Sequence, residues 1–171
     1  MSPFISEFIG TSILLLLGNG VVANVVLNKT KGNGSGWIVI TFGWAMAVFV
    51  GVYASAAASG AHLNPAVTIA KAVKDNDWSN VPLYIAAQIL GAMFGSLLVW
   101  LSYRQHFDET DNKDLKLAVF CTAPAIRSTI NNFISELIGT FMLMMGVLFL
   151  SSPENKLGSL DALPVALLVL A

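Results

Sequence analysis

Few side chains in this sequence could do chemistry, and those few stand in unusual company. The stretch SGAHLNPAVT, Ser59 to Thr68, sets an imidazole, a carboxamide and a proline inside a segment with no charged residue between Lys31 and Lys71. Two carboxylates, Glu7 and Glu136, lie in near-copies of one phrase, FISEFIGT at Phe4–Thr11 and FISELIGT at Phe133–Thr140, which differ only at Phe8 and Leu137. A carboxamide both donates and accepts hydrogen bonds, whereas an ionised carboxylate only accepts. Such groups can hold backbone or guide a polar solute without making or breaking a bond, so no enzymatic activity is expected. Cys121 is alone, which excludes an internal disulfide and argues against a thiolate metal site. Neither His62 nor His106 has neighbours at metal-ligand spacing, so no metal or other cofactor is expected.

The elements that must position these groups are apolar helices. The chain is 56% hydrophobic and 11% charged, with a mean hydropathy of +0.72. That leaves too little polar surface to cover a soluble globule, and the charged faces of amphipathic soluble helices are missing. A bilayer span needs about 20 apolar residues, and windows of that kind predict spans over about 4–28, 37–59, 82–104 and 132–152. A cleaved signal peptide is disfavoured because MSPFISE carries no basic residue. The net charge of −1 gives no reason to expect nucleic acid as a partner. Lys and Arg follow several spans, so charge bias does not choose an orientation.

The repeated phrase opens an apolar span in each half, which points to two structural halves. Residues 1–104 read as a first repeat, 105–131 as a connecting loop and 132–171 as the start of a second. Three spans per half would invert the second about an axis in the membrane plane. The run LPVALLVLA reaches Ala171 with too few residues to cross a bilayer. The sequence is therefore expected to stop within a fifth span.

Within the first repeat, proline suits the first position of a helix and asparagine the position before it. Asn64 is thus the expected N-cap of a short helix over about 65–74, too short to span, that must return to the side it entered. Non-helical backbone at that depth survives only when it is buried in protein or lines a watery cavity. The carbonyls of Gly60, Ala61 and His62 therefore suggest a hydrated path. The half-helix aims its positive end, roughly half a charge, at the membrane centre, which disfavours cations.

These residues resemble the major intrinsic protein family, the aquaporins and glycerol facilitators, most of all the bacterial aquaglyceroporins. The resemblance rests on SGAHLNPAVT, the third-span phrase AAQILGA, and the two Glu-bearing phrases, and it extends along the whole sequence. It implies an all-α membrane fold of inverted repeats, each with three spans and a half-helix, assembled as a homotetramer in the cell membrane. It implies that Asn64, with Pro65 and Ala66 opening the half-helix, is one of two central amide donors, and that Gly60, Ala61 and His62 supply a carbonyl ladder. It also implies that Glu7 and Glu136 are buried supports accepting backbone N–H bonds. Gln88 is expected to brace the loop that carries Asn64. Trp44 aligns with the tryptophan of the glycerol-selective filter, where water-selective relatives carry phenylalanine. Read alone, Trp44 could equally be an interfacial or packing residue. The second Asn-Pro segment and the filter arginine that the family carries are absent from this sequence.

The expected activity is a passive channel for glycerol, other small uncharged polyols and water, excluding ions and protons. A water-selective aquaporin is the nearest rival. A proton-coupled secondary transporter using Glu7 or Glu136 is a rival of another class, and a membrane protein without transport a third. The small residues Gly43, Ala47, Gly51, Ser55 and Ser59, and the pair Gly91 and Gly95, are expected to mark helix contacts.

Overall fold

A computed structural model describes residues 1–150 and 158–171. Among the described residues every regular element is helical: α1 (Pro3–Val26), α2 (Trp37–Ser59), α3 (Pro65–Asp75), α4 (Val81–Ser102), α5 (Arg104–Asp108), α6 (Lys113–Ala118), α7 (Thr129–Phe149), a 3-10 turn (Gly158–Ala162) and α8 (Leu163–Leu170). Helices α1, α2, α4 and α7 are long and apolar enough to cross a membrane. The all-α class expected from the sequence is the class observed. Residues 151 and 152, read as the end of the fourth span, lie outside the described residues.

Each start and stop has a local cause. Ser2 Oγ accepts the Ile5 N–H at 3.3 Å, and Pro3 occupies the first turn of α1, where its missing N–H costs nothing. Helix α2 ends at Gly60 in the left-handed region (φ +79°), a conformation that suits glycine. The stretch expected as a connecting loop contains α5 and α6. Asn112 starts α6 by accepting the N–H groups of Asp114 and Leu115.

Helix α1 is the hub, packing against α2 on one side and α4 on the other. Both contacts depend on missing side chains. A Cβ added at Gly51 would stand 2.9 Å from the Gly10 carbonyl oxygen, and at Gly91 or Gly95 it would stand 2.5 Å from the Phe8 or Ser12 carbonyl oxygen of α1. Backbone can approach backbone there, as small residues permit in apolar helix pairs. Polar side chains lock the two seams: Ser6 Oγ donates to the Ser55 carbonyl at 2.9 Å, and Asn19 Nδ2 donates to Ser96 Oγ at 3.0 Å.

At the far end of α1, the loop before α2 is tied to the connection after α4. Thr110 Oγ1, fully buried, accepts the Asn28 N–H at 2.8 Å, and Lys29 pairs with Glu109. That lysine hydrogen bond and its positive charge hold the Glu109 carboxyl below its ordinary range. Helix α7 buries none of its residues and touches α3 and α8, and α8 also packs on α2.

Candidate functional site

The segment between α2 and α3 turns back on itself within five residues. Gly60, Ala61 and Leu63 all have left-handed backbone, with φ of +79°, +50° and +50°. For alanine and leucine that conformation costs roughly 1–2 kcal/mol per residue. Something must hold it, and the holder is Glu7.

Glu7 on α1 is fully buried and receives four hydrogen bonds. Its Oε1 accepts from Ser59 Oγ at 2.5 Å and from the His62 N–H at 2.9 Å. Its Oε2 accepts from the Leu63 N–H at 2.8 Å and from Gln88 Nε2 at 2.8 Å. A carboxylate offers about four lone-pair positions, and all are taken.

This anchor fixes the direction of the carbonyls. No peptide bond among the described residues is cis, and a trans peptide points its C=O opposite to the N–H that follows. The Ala61 N–H donates to Ser59 Oγ at 3.1 Å, while the His62 and Leu63 N–H groups donate to Glu7. The carbonyls of Gly60, Ala61 and His62 therefore all point away from the Glu7 and Ser59 anchor. None of the three accepts a backbone or side-chain hydrogen bond among the described residues. Gly60 is exposed and Ala61 and His62 are half-buried, so the row is open to a visitor.

Asn64 follows in extended conformation, and its Oδ1 accepts the Ala66 N–H at 2.8 Å to cap α3. Its Nδ2 has no protein partner among the described residues, which leaves two donors available. With 11 residues, α3 is roughly 16 Å long. That is about half the thickness of a bilayer's hydrocarbon core.

Two groups that complete the anchor, Thr68 and Tyr84, were not singled out in the sequence, and Ser59, expected only to mark a helix contact, links Glu7 to Ala61. Thr68, almost fully buried, donates from Oγ1 to the Asn64 carbonyl at 3.1 Å and accepts from Gln88 Nε2 at 2.9 Å. Tyr84 donates from its hydroxyl to the Ser59 carbonyl at 2.9 Å. Gln88 thus braces the loop at both ends, through Glu7 and through α3. The His62 imidazole sits edge-on to the Tyr84 ring, centroids 4.9 Å apart, with Nδ1 3.2 Å from Thr68 Oγ1. A polar crevice of about 190 Å³ runs from His62 and Thr68 past Lys71 to Asp75 and Asp77 beyond the end of α3. Asp77 lies at the outer end, where the Ser79 hydroxyl and then its N–H hold the carboxyl below the ordinary value.

Two expected site residues stand apart from this cluster. Trp44 is half-buried about four turns along α2 from Ser59, with its ring over Gly18, where an added Cβ would run into the indole. Val22, Val25 and Ile40 pack beside it. Gly18 was not singled out in the sequence, although it makes the room for that indole. Glu136 is exposed on α7 and accepts no hydrogen bond among the described residues.

Comparison with known proteins agrees with this architecture. The chain resembles the probable glycerol uptake facilitator protein of Thermotoga maritima, 54% identical over 171 residues, 99% of this chain and 72% of the relative. It resembles the glycerol uptake facilitator protein of Streptococcus pneumoniae strain R6 at 54% over 159 residues, 92% of this chain and 68% of the relative. The X-ray structure of the aquaglyceroporin from Plasmodium falciparum superposes with a TM-score of 0.82 at 33% identity, covering 98% of this chain and 69% of that one. The family model for the major intrinsic protein matches residues 1–171, and the chain belongs to that family.

Proposed function

We propose that this protein is a passive transmembrane channel for glycerol and related small neutral solutes, with water also permeating and ions and protons excluded. The observation that carries the reading is the row of carbonyls at Gly60, Ala61 and His62, turned outward by Ser59 and Glu7 and claimed by no donor among the described residues. Successive hydroxyls of a polyol can donate to that row, while Asn64 Nδ2 donates to their oxygens at the end of α3. Trp44 supplies an apolar wall for the carbon backbone. The inward positive end of α3 opposes cations, which carry no compensating negative group into the path. Glu7 is fully occupied by four donors and serves as a support, which favours a passive channel over a proton-coupled carrier.

The names of the Thermotoga and Streptococcus relatives support glycerol as the solute. Their bacterial sources support residence in the cell membrane, and the family fold supports a homotetramer with one path per protomer. No bond changes during passage, so the protein is not an enzyme and needs no cofactor.

Stopped-flow light scattering on proteoliposomes tests the proposal. Glycerol-driven swelling should greatly exceed that of empty vesicles and be insensitive to an uncoupler. Equal rates in loaded and empty vesicles would refute it, and accumulation that an uncoupler abolishes would establish the carrier instead.

A further inference from the structure

A second site lies on the outside of the bundle, away from the Glu7 anchor. Between α1 and α4 runs an open groove of about 740 Å³ lined by Phe8, Leu90, Met93, Phe94, Leu97 and Phe120. Its walls are hydrocarbon apart from Ser96, whose hydroxyl accepts from Asn19, and Leu90, Met93 and Leu97 are each about half exposed or more. One end is closed by the Phe120 ring, which stacks on the buried Phe107 ring at a 3° interplanar angle and 5.6 Å between centroids.

Just past the end of α4 stands a cation. Met93 and Trp100 are seven residues apart within α4, two turns, so they lie along one face. The helix breaks at Tyr103 and Arg104 opens α5. The Arg104 guanidinium lies 4.6 Å from the centre of the Trp100 ring, which ties the cation to that face of α4. Both side chains are exposed. Among the described residues Arg104 has no carboxylate within ion-pair distance, and the nearby Glu109 is engaged by Lys29. A tryptophan and an arginine at the end of a spanning helix mark headgroup depth.

The geometry points to a binding site for an anionic phospholipid, with an acyl chain in the groove and the phosphate on Arg104. Charge complementarity selects this occupant: the apolar trough alone would accept any chain, and the unpaired guanidinium at its mouth adds preference for a negatively charged headgroup. Arginine suits phosphate because its planar fork can donate two parallel hydrogen bonds, and a basic residue near the surface favours anionic lipid about fivefold.

The test uses the protein reconstituted in vesicles that contain brominated phosphatidylglycerol or brominated phosphatidylcholine. Bromine quenches nearby indoles, and the Trp100 share is the difference between wild type and Trp100→Phe. Phosphatidylglycerol should occupy the Trp100 site about fivefold in preference to phosphatidylcholine at low salt. Arg104→Gln should bring the preference to about one, with Arg104→Lys intermediate. In wild type, about 1 M salt, where the Debye length is about 3 Å, should weaken it without any substitution. Equal quenching by the two lipids in wild type, or a preference that survives Arg104→Gln, overturns the proposal. Absence of quenching by either lipid means that protein, such as a second copy of the chain, covers the groove, and overturns it too.

Discussion

Replacing Glu7 by Gln is the sharpest perturbation of the re-entrant loop, because it keeps the shape and changes only what the group can accept. Oε1 holds Ser59 and the His62 N–H, and Oε2 holds Leu63 and Gln88. Whichever oxygen becomes NH2, one backbone donor, the His62 or the Leu63 N–H, loses its acceptor and faces another donor, while Ser59 or Gln88 can turn to accept. Hydrogen bonds to a charged group are worth about 1.5–3 kcal/mol each and to a neutral one about 1 kcal/mol, so losing one and weakening the rest removes about 3–6 kcal/mol from the loop. Relief of the buried charge returns part of this, which leaves a net loss of about 3 kcal/mol. The left-handed Ala61 and Leu63 alone ask for about 2–4 kcal/mol, so the carbonyl row should lose its fixed direction. Glycerol permeability, measured by stopped-flow at matched protein incorporation, should fall more than tenfold while circular dichroism still reports helices. Ser59→Ala removes one donor to Glu7 and the acceptor of the Ala61 N–H, and should give an intermediate loss. A Glu7→Gln protein with flux and melting temperature equal to wild type would refute the claim that this carboxylate aims the carbonyls.

Trp44→Phe should lower glycerol permeability about tenfold and leave water permeability unchanged or higher, since a smaller ring gives less wall to a carbon chain. Unchanged glycerol flux in the same stopped-flow assay would favour a water-selective channel. Asn64→Asp keeps the cap on the Ala66 N–H, so stability should change by less than about 1 kcal/mol. The new charge at the end of α3 should raise cation leak, measured as dissipation of an imposed potential across proteoliposomes. Gly91→Leu would drive side-chain atoms into the Phe8 carbonyl, because even a Cβ would stand 2.5 Å from it. The α1 and α4 seam should weaken by at least about 3 kcal/mol, visible as a lower melting temperature in detergent.

What the sequence reveals divides along the line between local and distant causes. Asn64 and Pro65 could be read as a helix start because a cap and a first-turn proline act within three residues. The spans could be read because apolar length is a property of one segment. Ser59 and Thr68 bracket the stretch SGAHLNPAVT, yet their roles depend on Glu7 and Gln88, which lie on other helices. Hydroxyls on an apolar helix usually bond to their own preceding turn, as Ser55 does to Gly51, so nothing local marks the exceptions. Gly18 escaped notice for the same reason: its meaning is the Trp44 ring from the facing helix. Asn112 was a visible cap in a stretch read as loop, where Phe107 of α5 and Val119 just after α6 are buried with Ala23, Leu27 and Val99, a distant partnership masked by the charged residues around them.

The same logic explains why a carboxylate is used where no charge is transported. A neutral acceptor could satisfy one N–H of the loop, but Ala61 and Leu63 must both remain left-handed, and the peptides on either side of His62 must both turn the same way. Only a group with two acceptor oxygens can take adjacent N–H groups, from His62 and Leu63, and still bind Ser59 and Gln88. Two charge-assisted bonds to the backbone, about 3–6 kcal/mol, offset about 2–4 kcal/mol of backbone strain. The surplus is small, so the loop is held by its full set of donors and by no single one. Selectivity in such a path is therefore a property of helix seams as well as of the lining: Gly91 and Gly95 set the distance between α1 and α4, and that distance decides whether Gln88 can reach Glu7.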